Sequence, residues 1–291
     1  MGRGKEVLLS LLQFFFNGLI SGGILALPAI GFSLLYKILR FPNFAFGSYL
    51  TCGAYAALFV NETLGQPILL AFVAAMATTA LIGVAVDQGA FRRLRRRRPL
   101  TLAIVSIGAS FILENTVRFI WGGGLQHYRL PVYRDITLGG IHMGKEQITI
   151  LGIASFFMVL VQALLQRTRL GKAMRALADN PQLAEIKGID TERIILLTSG
   201  IGGALAGASG VFLGVDTVID PLMGFNLILS VFAGAILGGI GSAKGAMAGA
   251  LVIGLAEEIS LIVLPSTYKS ALGLGIIILI LILRPSGFVR N

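Results

Sequence analysis

Long apolar runs alternate along the chain with short segments that carry most of its charge. A helix needs about 20 apolar residues to cross the hydrocarbon core of a bilayer. Pro28 is expected to interrupt the first run, because proline removes a helix hydrogen bond. The pattern predicts spans at Val7–Leu27, Ala29–Ile38 (a broken continuation or a short second segment), Phe44–Phe59, Pro67–Val86, Leu100–Trp121, Gln147–Leu165, Ile194–Val215, Leu227–Ile240, Gly245–Leu264 and Ser270–Leu283.

The composition excludes a water-soluble or disordered chain. Hydrophobic residues make up 55% and charged residues 13% of the sequence, whereas soluble domains carry about 25% charged residues. There are 38 glycines, and small residues recur four apart, as in Gly203–Gly207 and Gly245–Gly249, a spacing that permits close helix packing in membranes. We predict an all-α polytopic membrane protein, a single domain over residues 1–291. Its bundle should have about 8–10 transmembrane helices, including short or broken segments such as the Gly-rich Leu227–Ile240.

Basic residues are distributed unevenly between the two sides of this predicted bundle. Arg92–Arg98 and Arg167–Arg193 each hold six basic residues, and the predicted spans divide 17 Lys and Arg from 5 on the other side. The positive-inside rule makes the basic loops and the C-terminus cytoplasmic. The side of the N-terminus stays open, because the segment after Pro28 either crosses or does not. The arginine run suits anionic lipid head groups, and without interleaved aromatic residues it does not indicate nucleic acid binding.

The basic loop at about residues 167–193 contains the start and stop signals of two short helices. Lys172–Ala178 contains strong helix formers, and Asp179-Asn180-Pro181 both stops that helix and begins another, with Pro181 in the first turn and Asn180 or Asp179 as N-cap. Gln182–Lys187 would form the second helix, ended by Gly188. The pattern predicts a compact projection from the membrane. The alternative is an ordinary positively charged loop.

Few ionisable groups lie inside the predicted spans. Glu114 and Arg118 are spaced for an ion pair on one helix face, and Glu257 and Glu258 lie in another span. Buried charges of this kind face the protein interior or a water path, so a structural pair and a substrate or proton role both stay open.

No catalytic motif accompanies these charges. His127 and His142 fit no metal-binding spacing, and Cys52 is the single cysteine. We therefore expect no enzyme activity, no catalytic residue, no metal and no cofactor.

Three stretches resemble the membrane permeases of branched-chain amino acid ABC importers, and together they span nearly the whole chain. The first contains Asn17-Gly18-Leu19 and Asn43-Phe44-Ala45-Phe46-Gly47, although Phe46 stands where the common pattern has histidine. The second is Leu170-Gly171-Lys172-Ala173-Met174-Arg175-Ala176 with Asp179-Asn180 and Gly188-Ile189, which is similar to that family's cytoplasmic coupling segment. The third is the Gly-rich stretch Gly234–Gly241.

This resemblance implies a transport subunit of the bacterial inner membrane that moves branched-chain or related amino acids. It also implies four kinds of partner: a second homologous permease, two cytoplasmic ATPase subunits, a periplasmic substrate-binding protein and the lipid membrane. The ATPase-coupling residues would be Gly171, Arg175, Ala176, Asp179, Pro181 and Gly188. Candidates for the translocation pathway are Asn17, Asn43, Glu114 and Glu257.

Other functions remain open at this point. An ion-coupled secondary transporter would use Glu114 and Glu257 as coupling groups, and a channel or a structural membrane subunit is a further class. Within the importer class, the substrate could be urea or an amide. The sequence does not choose among these substrates.

Cysteine labelling tests the predicted topology. In a Cys52→Ala background, His127→Cys should react with a membrane-impermeant reagent from outside the cell, because residues 123–145 lie on the side poor in Lys and Arg. Reaction of position 127 from the cytoplasmic side alone would reverse the assignment.

Overall fold

Helices make up most of the described chain. The computed structural model describes residues 2–95, 97–130, 136–138, 141–262, 265, 275–276, 278–279 and 282. Two π-helical turns, Phe59–Thr63 and Asp87–Phe91, continue the helices that precede them, and strands β1 (Ile136–Leu138) and β2 (Ile141–Met143) form a short antiparallel hairpin. The helices are α1 Gly2–Leu39, α2 Ala45–Leu58, α3 Ile68–Val86, α4 Arg92–Leu94, α5 Pro99–Trp121, α6 Lys145–Arg167, α7 Arg169–Asp179, α8 Pro181–Ile186, α9 Thr191–Asp216, α10 Met223–Gly238 and α11 Ala243–Ser260.

The predicted all-α polytopic membrane fold is confirmed. Among the described residues, five helices are long and apolar enough to cross a membrane. The predicted spans from Phe44 onward match α2, α3, α5, α6, α9, α10 and α11 within a few residues. The predicted short Gly-rich span is α10, with 16 residues. The predicted span Ser270–Leu283 lies outside the described residues apart from isolated positions.

The predicted break at Pro28 is wrong, because α1 runs through it as one helix. A proline at this position cannot donate a hydrogen bond to the carbonyl of Ile24, four residues earlier. That carbonyl instead accepts a hydrogen bond from the Ser209 hydroxyl of α9, with an oxygen–oxygen distance of 2.7 Å. A partner from a neighbouring helix is how membrane proteins accommodate an interior proline.

Glycines bring the helices of the bundle into direct backbone contact. A methyl group added to Gly31 of α1 would lie 2.9 Å from the Cα of Gly202 in α9, and one on Gly47 of α2 would lie 2.6 Å from the carbonyl oxygen of Gly224 in α10. Real Cβ atoms do not approach this closely, so these crossings exclude any side chain. The predicted packing role of Gly203, Gly207, Gly245 and Gly249 is confirmed, since each faces the backbone or side chain of a neighbouring helix. Gly241 instead lies in the turn before α11, with φ +90°.

Interhelix loops meet at two opposite ends of the bundle. One end, called the basic end, comprises residues 37–40, 87–95, 97–98, 167–193 and 239–244. Arg40 of this end donates to the carbonyl of Ala178 at 3.5 Å, and the Lys37 side chain covers Gly241. At the other end, Gln126 and Ile219 exchange backbone hydrogen bonds of 2.9 and 3.0 Å. Because α1 is a single helix, the N-terminal turns of the chain lie at the end opposite to the basic one.

Tyr128 holds the loop after α5 against the bundle. Its ring is buried, and its hydroxyl donates to the carbonyl of Ala54 in α2 at 2.9 Å. Burial raises the pKa of Tyr128, so the phenol stays a neutral donor.

The α1–α11 crossing gives a direct test of glycine packing. A methyl group on Gly22 would lie 2.8 Å from the Cα of Leu251, whereas one on Gly152 of α6 would meet no atom within 4 Å. We expect Gly22→Ala to destabilise the protein by about 1–3 kcal/mol through overpacking. Gly152→Ala, the matched control, should be neutral or stabilise by up to about 1 kcal/mol through helix propensity. Thermal unfolding in detergent measures both, and equal stability of the two variants would contradict this account.

Candidate functional site

Residues 168–190, called the two-helix segment from here on, form the predicted pair of short helices, α7 and α8. Thr168 caps α7 by accepting a hydrogen bond from the Gly171 amide at 3.1 Å. Gly171 is buried against the end of α6, where any side chain would collide with the carbonyl oxygens of Leu164 and Leu165. This close approach lets the chain reverse sharply between α6 and α7.

The turn between the two helices is also fixed by side chains. Asn180, not Asp179, caps α8, and its side-chain oxygen accepts from the Leu183 amide at 3.0 Å. Pro181 occupies the first turn of α8, where its missing N–H costs no hydrogen bond. Gly188 follows α8 with φ +80°, a conformation that favours glycine. The predicted pair of short helices, joined by a tight turn, is confirmed.

One face of the two-helix segment is anchored to the bundle. Leu177 of α7 and Ala184 of α8 form a buried cluster with Ile195 of α9. Ile38 and Leu39 at the end of α1 pack against the same cluster. The segment is therefore in direct contact with α1 and α9.

The opposite face of α8 exposes large apolar side chains. Leu183 is 52% exposed and Ile186 is 80% exposed, although the segment extends beyond the apolar runs. Apolar residues three apart on an outward helix face are typical of a docking surface for another protein. The sequence analysis missed both residues. Their spacing within an otherwise polar short helix was the available indication.

Arg175 does not make the contact expected from its spacing. Arg175 and Asp179 lie one turn apart, a spacing that predicts an ion pair, but among the described residues no ion pair joins them. The Arg175 guanidinium instead reaches back to donate to the carbonyl of Leu165 at the C-terminal end of α6. Asp179 is exposed and Ala176 partly exposed. Arg175 thus faces the bundle and supports the turn between α6 and α7.

The arginine run at the basic end is partly neutralised inside the protein. Arg95 pairs with the buried Asp87 carboxylate and with Glu192 at the start of α9, the latter at 2.7 Å. Arg92 lies 3.1 Å from the same glutamate. Of the six arginines expected to favour anionic lipid head groups, Arg92 and Arg95 also pair with carboxylates of the protein. They connect the end of α3 to the beginning of α9.

The four predicted pathway residues each have a local partner. Asn17 accepts from Gln13 at 3.2 Å, and Asn43 accepts from the Ala45 amide at the start of α2 at 3.0 Å. Glu114 is buried and lies 3.2 Å from Arg118, which confirms the predicted ion pair. Glu257 accepts from the Ser230 hydroxyl at 2.5 Å. The neighbouring Glu258 accepts from Ser21 at 2.9 Å.

Two of these residues belong to one buried interface, between α2 and α5. The Ser48 and Ser110 hydroxyls lie 2.6 Å apart, and Ser106 accepts from the Phe44 amide beside Asn43 at 3.0 Å. Glu114 follows Ser110 by one turn on the same face of α5. We call Ser48, Ser106, Ser110 and Glu114 the polar column. Asn17 lies near the end opposite to the basic one and Glu257 between α10 and α11, so the four residues do not form a single site.

Tyr55 extends the polar column towards the end of α5. Its ring is buried and lies 5.4 Å from that of Trp121. Its hydroxyl makes no hydrogen bond among the described residues. Buried hydroxyls are normally satisfied by protein or water. Tyr55 is not among the predicted pathway residues, because its apolar surroundings in the sequence do not indicate a buried hydroxyl without a partner.

Comparisons with known proteins find relatives over nearly the whole chain. Residues 14–281 match the family model described as the permease component of the branched-chain amino acid transport system. The chain is 34% identical to the BraD permease protein of a high-affinity branched-chain amino acid transport system from Pseudomonas aeruginosa, over 96% of this chain and 95% of that one. It is 32% identical to the Escherichia coli permease protein LivH of such a system, over 98% and 97% of the two chains.

A solved structure supports the fold at a lower level of identity. PsaBC from Streptococcus pneumoniae, in complex with a Fab, aligns with a TM-score of 0.50 and 13% identity, over 96% of this chain and 92% of that one. Together with the family match over most of the chain, the relatives above 30% identity decide the family. The chain belongs to the permease component family of branched-chain amino acid transport systems.

Proposed function

We propose that this chain is a permease subunit of an ATP-binding-cassette importer that moves branched-chain or related amino acids across the bacterial inner membrane. Its relatives are named as permease proteins of branched-chain amino acid transport systems. The observation that carries the proposal is the two-helix segment, which combines a fixed shape, a firm anchor and an exposed apolar face. The energy for transport would come from two cytoplasmic ATPase subunits.

In this proposal the basic end faces the cytoplasm. The excess of Lys and Arg at that end supports the orientation through the positive-inside rule. Because α1 crosses once, the N-terminus then lies on the periplasmic side. The binding protein would deliver substrate at the same side, where Gln13, Asn17, Glu146 and Asp216 line a polar cavity of about 410 Å³.

The two-helix segment would transmit closure of the ATPases to the membrane helices. Leu183 and Ile186 would insert into a groove of one ATPase subunit, while Leu177 and Ala184 hold the segment on α1 and α9. A ligand or partner shifts a conformational equilibrium only if its contacts differ between the two states. An apolar contact that forms in one ATPase state and opens in the other meets this condition.

A second homologous permease would pack against the outer face of α5. Gly108 lies on that face with no atom within 4 Å of an added methyl group, and Asn115 is exposed about two turns further on. Small and polar residues on a membrane helix favour contact with another helix over contact with lipid. The translocation pathway would then run between the two permeases. The polar column would lie on the side of α5 that faces α2.

Reconstitution tests the proposed function. The chain is assembled in liposomes with its partner permease, two ATPases and binding protein, and uptake of labelled leucine, isoleucine and valine is followed. We expect uptake that requires both ATP and binding protein. Uptake by the lone chain driven by an ion gradient would refute the importer and support a secondary transporter, and ATP-dependent uptake of urea or amides alone would refute the substrate class.

Ile186→Asp tests the docking face. Loss of a central apolar interface contact costs about 2 kcal/mol, roughly a thirtyfold change in an equilibrium. We expect binding-protein-stimulated ATP hydrolysis to fall by about that factor while membrane insertion stays normal. Lys172→Gln changes the net charge by the same amount at an exposed position of α7, away from this face, and should have little effect. Equal stimulation in both variants, with no crosslink from position 176 to the ATPase, would show that coupling runs through another surface.

Gly188→Val tests the rigidity of the same segment. A β-branched residue at φ +80° is strained by about 1–3 kcal/mol, so the end of α8 should distort. The expected result is normal insertion with reduced stimulation of ATP hydrolysis, measured in the same reconstituted membranes. Because a methyl group at this position would meet no atom within 4 Å, a steric clash cannot account for the effect. Full stimulation would argue against a fixed α8 end.

Glu114→Gln separates a structural from a pathway role. If the ion pair with Arg118 is structural, the variant should lose about 1–3 kcal/mol of stability, and its relative uptake of leucine, isoleucine and valine should stay unchanged. Thermal unfolding and competition uptake are the two measurements. A stable variant with altered substrate preference would assign Glu114 to the pathway.

A further inference from the structure

A cavity of about 180 Å³ lies at the basic end. Its lining includes neither the exposed apolar residues of α8 nor any residue of the polar column. It is enclosed by the last turns of α1 and α6, by α7, and by the turn that joins α10 to α11. No residue of the cavity belongs to the α2–α5 interface. The transport mechanism proposed above does not account for it.

The lining of this cavity is positively charged. Lys37, Arg175 and Lys244 reach it from α1, α7 and α11, and no Asp or Glu is found among the described residues that line it. Gln162 and Gln166 of α6 add polar groups that can donate hydrogen bonds. The N-terminus of α11, capped by Ser242, lies beside them and contributes the positive end of its helix dipole. Three cations from separate helices around one cavity favour an anionic occupant.

The cavity also has an apolar wall near the ends of the helices that line it. Leu34, Ile38 and Leu165 line it, all within the last two turns of their helices. Earlier in α6, the side chains of Phe156 and Val159 are 61% and 69% exposed, as expected of a helix face in contact with lipid chains. An occupant would therefore meet cations at one end and hydrocarbon at the other. A free phosphate would match the cations of the cavity but not its apolar wall.

We propose that the cavity binds the head group of an anionic phospholipid, with the phosphate held by Lys37 and Lys244. The Lys37 stem packs on Gly241, where a methyl group would lie 3.2 Å from its Cγ, so glycine at this position lets the ammonium group lie over the turn. Gly241 itself is fixed by donation of its amide to Ser33 at 2.9 Å. Arg175 is partly committed to the Leu165 carbonyl and closes the cavity from α7. This lipid would join α1, α6 and α11 beside the two-helix segment.

Native mass spectrometry of the full-length chain in detergent, with added phosphatidylglycerol or phosphatidylcholine, tests the proposal. We expect one phosphatidylglycerol to be retained in preference to phosphatidylcholine. Each lysine near an anionic lipid contributes about a fivefold effect, so Lys37→Gln/Lys244→Gln should weaken retention by about twentyfold to thirtyfold. The control Arg97→Gln/Arg98→Gln removes the same formal charge from exposed positions of the basic end and should keep the lipid.

A third variant keeps the lysines of the cavity and fills part of its volume with a larger side chain. Gln166 is exposed and lines the cavity, so Gln166→Trp should fold normally and still reduce retention of phosphatidylglycerol. Equal losses in the two double variants would show that surface charge alone attracts lipid, and would overturn the site. Displacement of the lipid by excess inorganic phosphate would assign the cavity to a soluble anion. Unchanged retention in the lysine and tryptophan variants would leave the cavity without a lipid role and also refute the proposal.

Discussion

The bundle depends on the close approach of helices to α9. This helix contacts α1, α2 and α3, and each crossing is made at a glycine. The Gly31–Gly202 contact joins it to α1, and a methyl group on Gly83 of α3 would lie 2.8 Å from the carbonyl oxygen of Ser199. Lipid tails are as apolar as a leucine side chain, so the hydrophobic effect does not drive helices together within a bilayer. Van der Waals contact and interhelical hydrogen bonds must do so, and both require short distances.

The same proximity makes other features of the fold possible. Ser209 reaches the Ile24 carbonyl only because α1 and α9 are in direct contact, and this hydrogen bond lets α1 pass through Pro28 unbroken. At its other end, α9 begins immediately after the two-helix segment. There its Glu192 forms an ion pair with Arg95, the residue that follows α4. The segment is therefore connected to α1, α2 and α3 through one helix. In the proposed importer, α9 would carry the ATPase signal into the membrane.

Local features of the fold could be predicted from the sequence, and long-range partners could not. Span positions follow from apolar runs, and the α7–α8 turn follows from Asn180, Pro181 and Gly188, because caps and proline act within a few residues. The continuity of α1 depends on Ser209, which is 185 residues from Ile24 in the chain. Arg175 illustrates the same limit, because its helical spacing indicates Asp179 while the folded chain offers the nearby end of α6. The Glu114–Arg118 pair was predictable because both residues share one helix face.

The positive charge of the basic end is divided among physically different environments. Arg92 and Arg95 lie against carboxylates, so their charge is largely neutralised within the protein and fixes one helix to another. Arg97 and Arg98 are exposed, where they bias topology but are screened by salt. Lys37 and Lys244 line a cavity without a described carboxylate, and in the proposal above their charge is matched by a bound anion. A count of basic residues predicts the orientation of the chain, but only their partners separate a structural ion pair from a binding site.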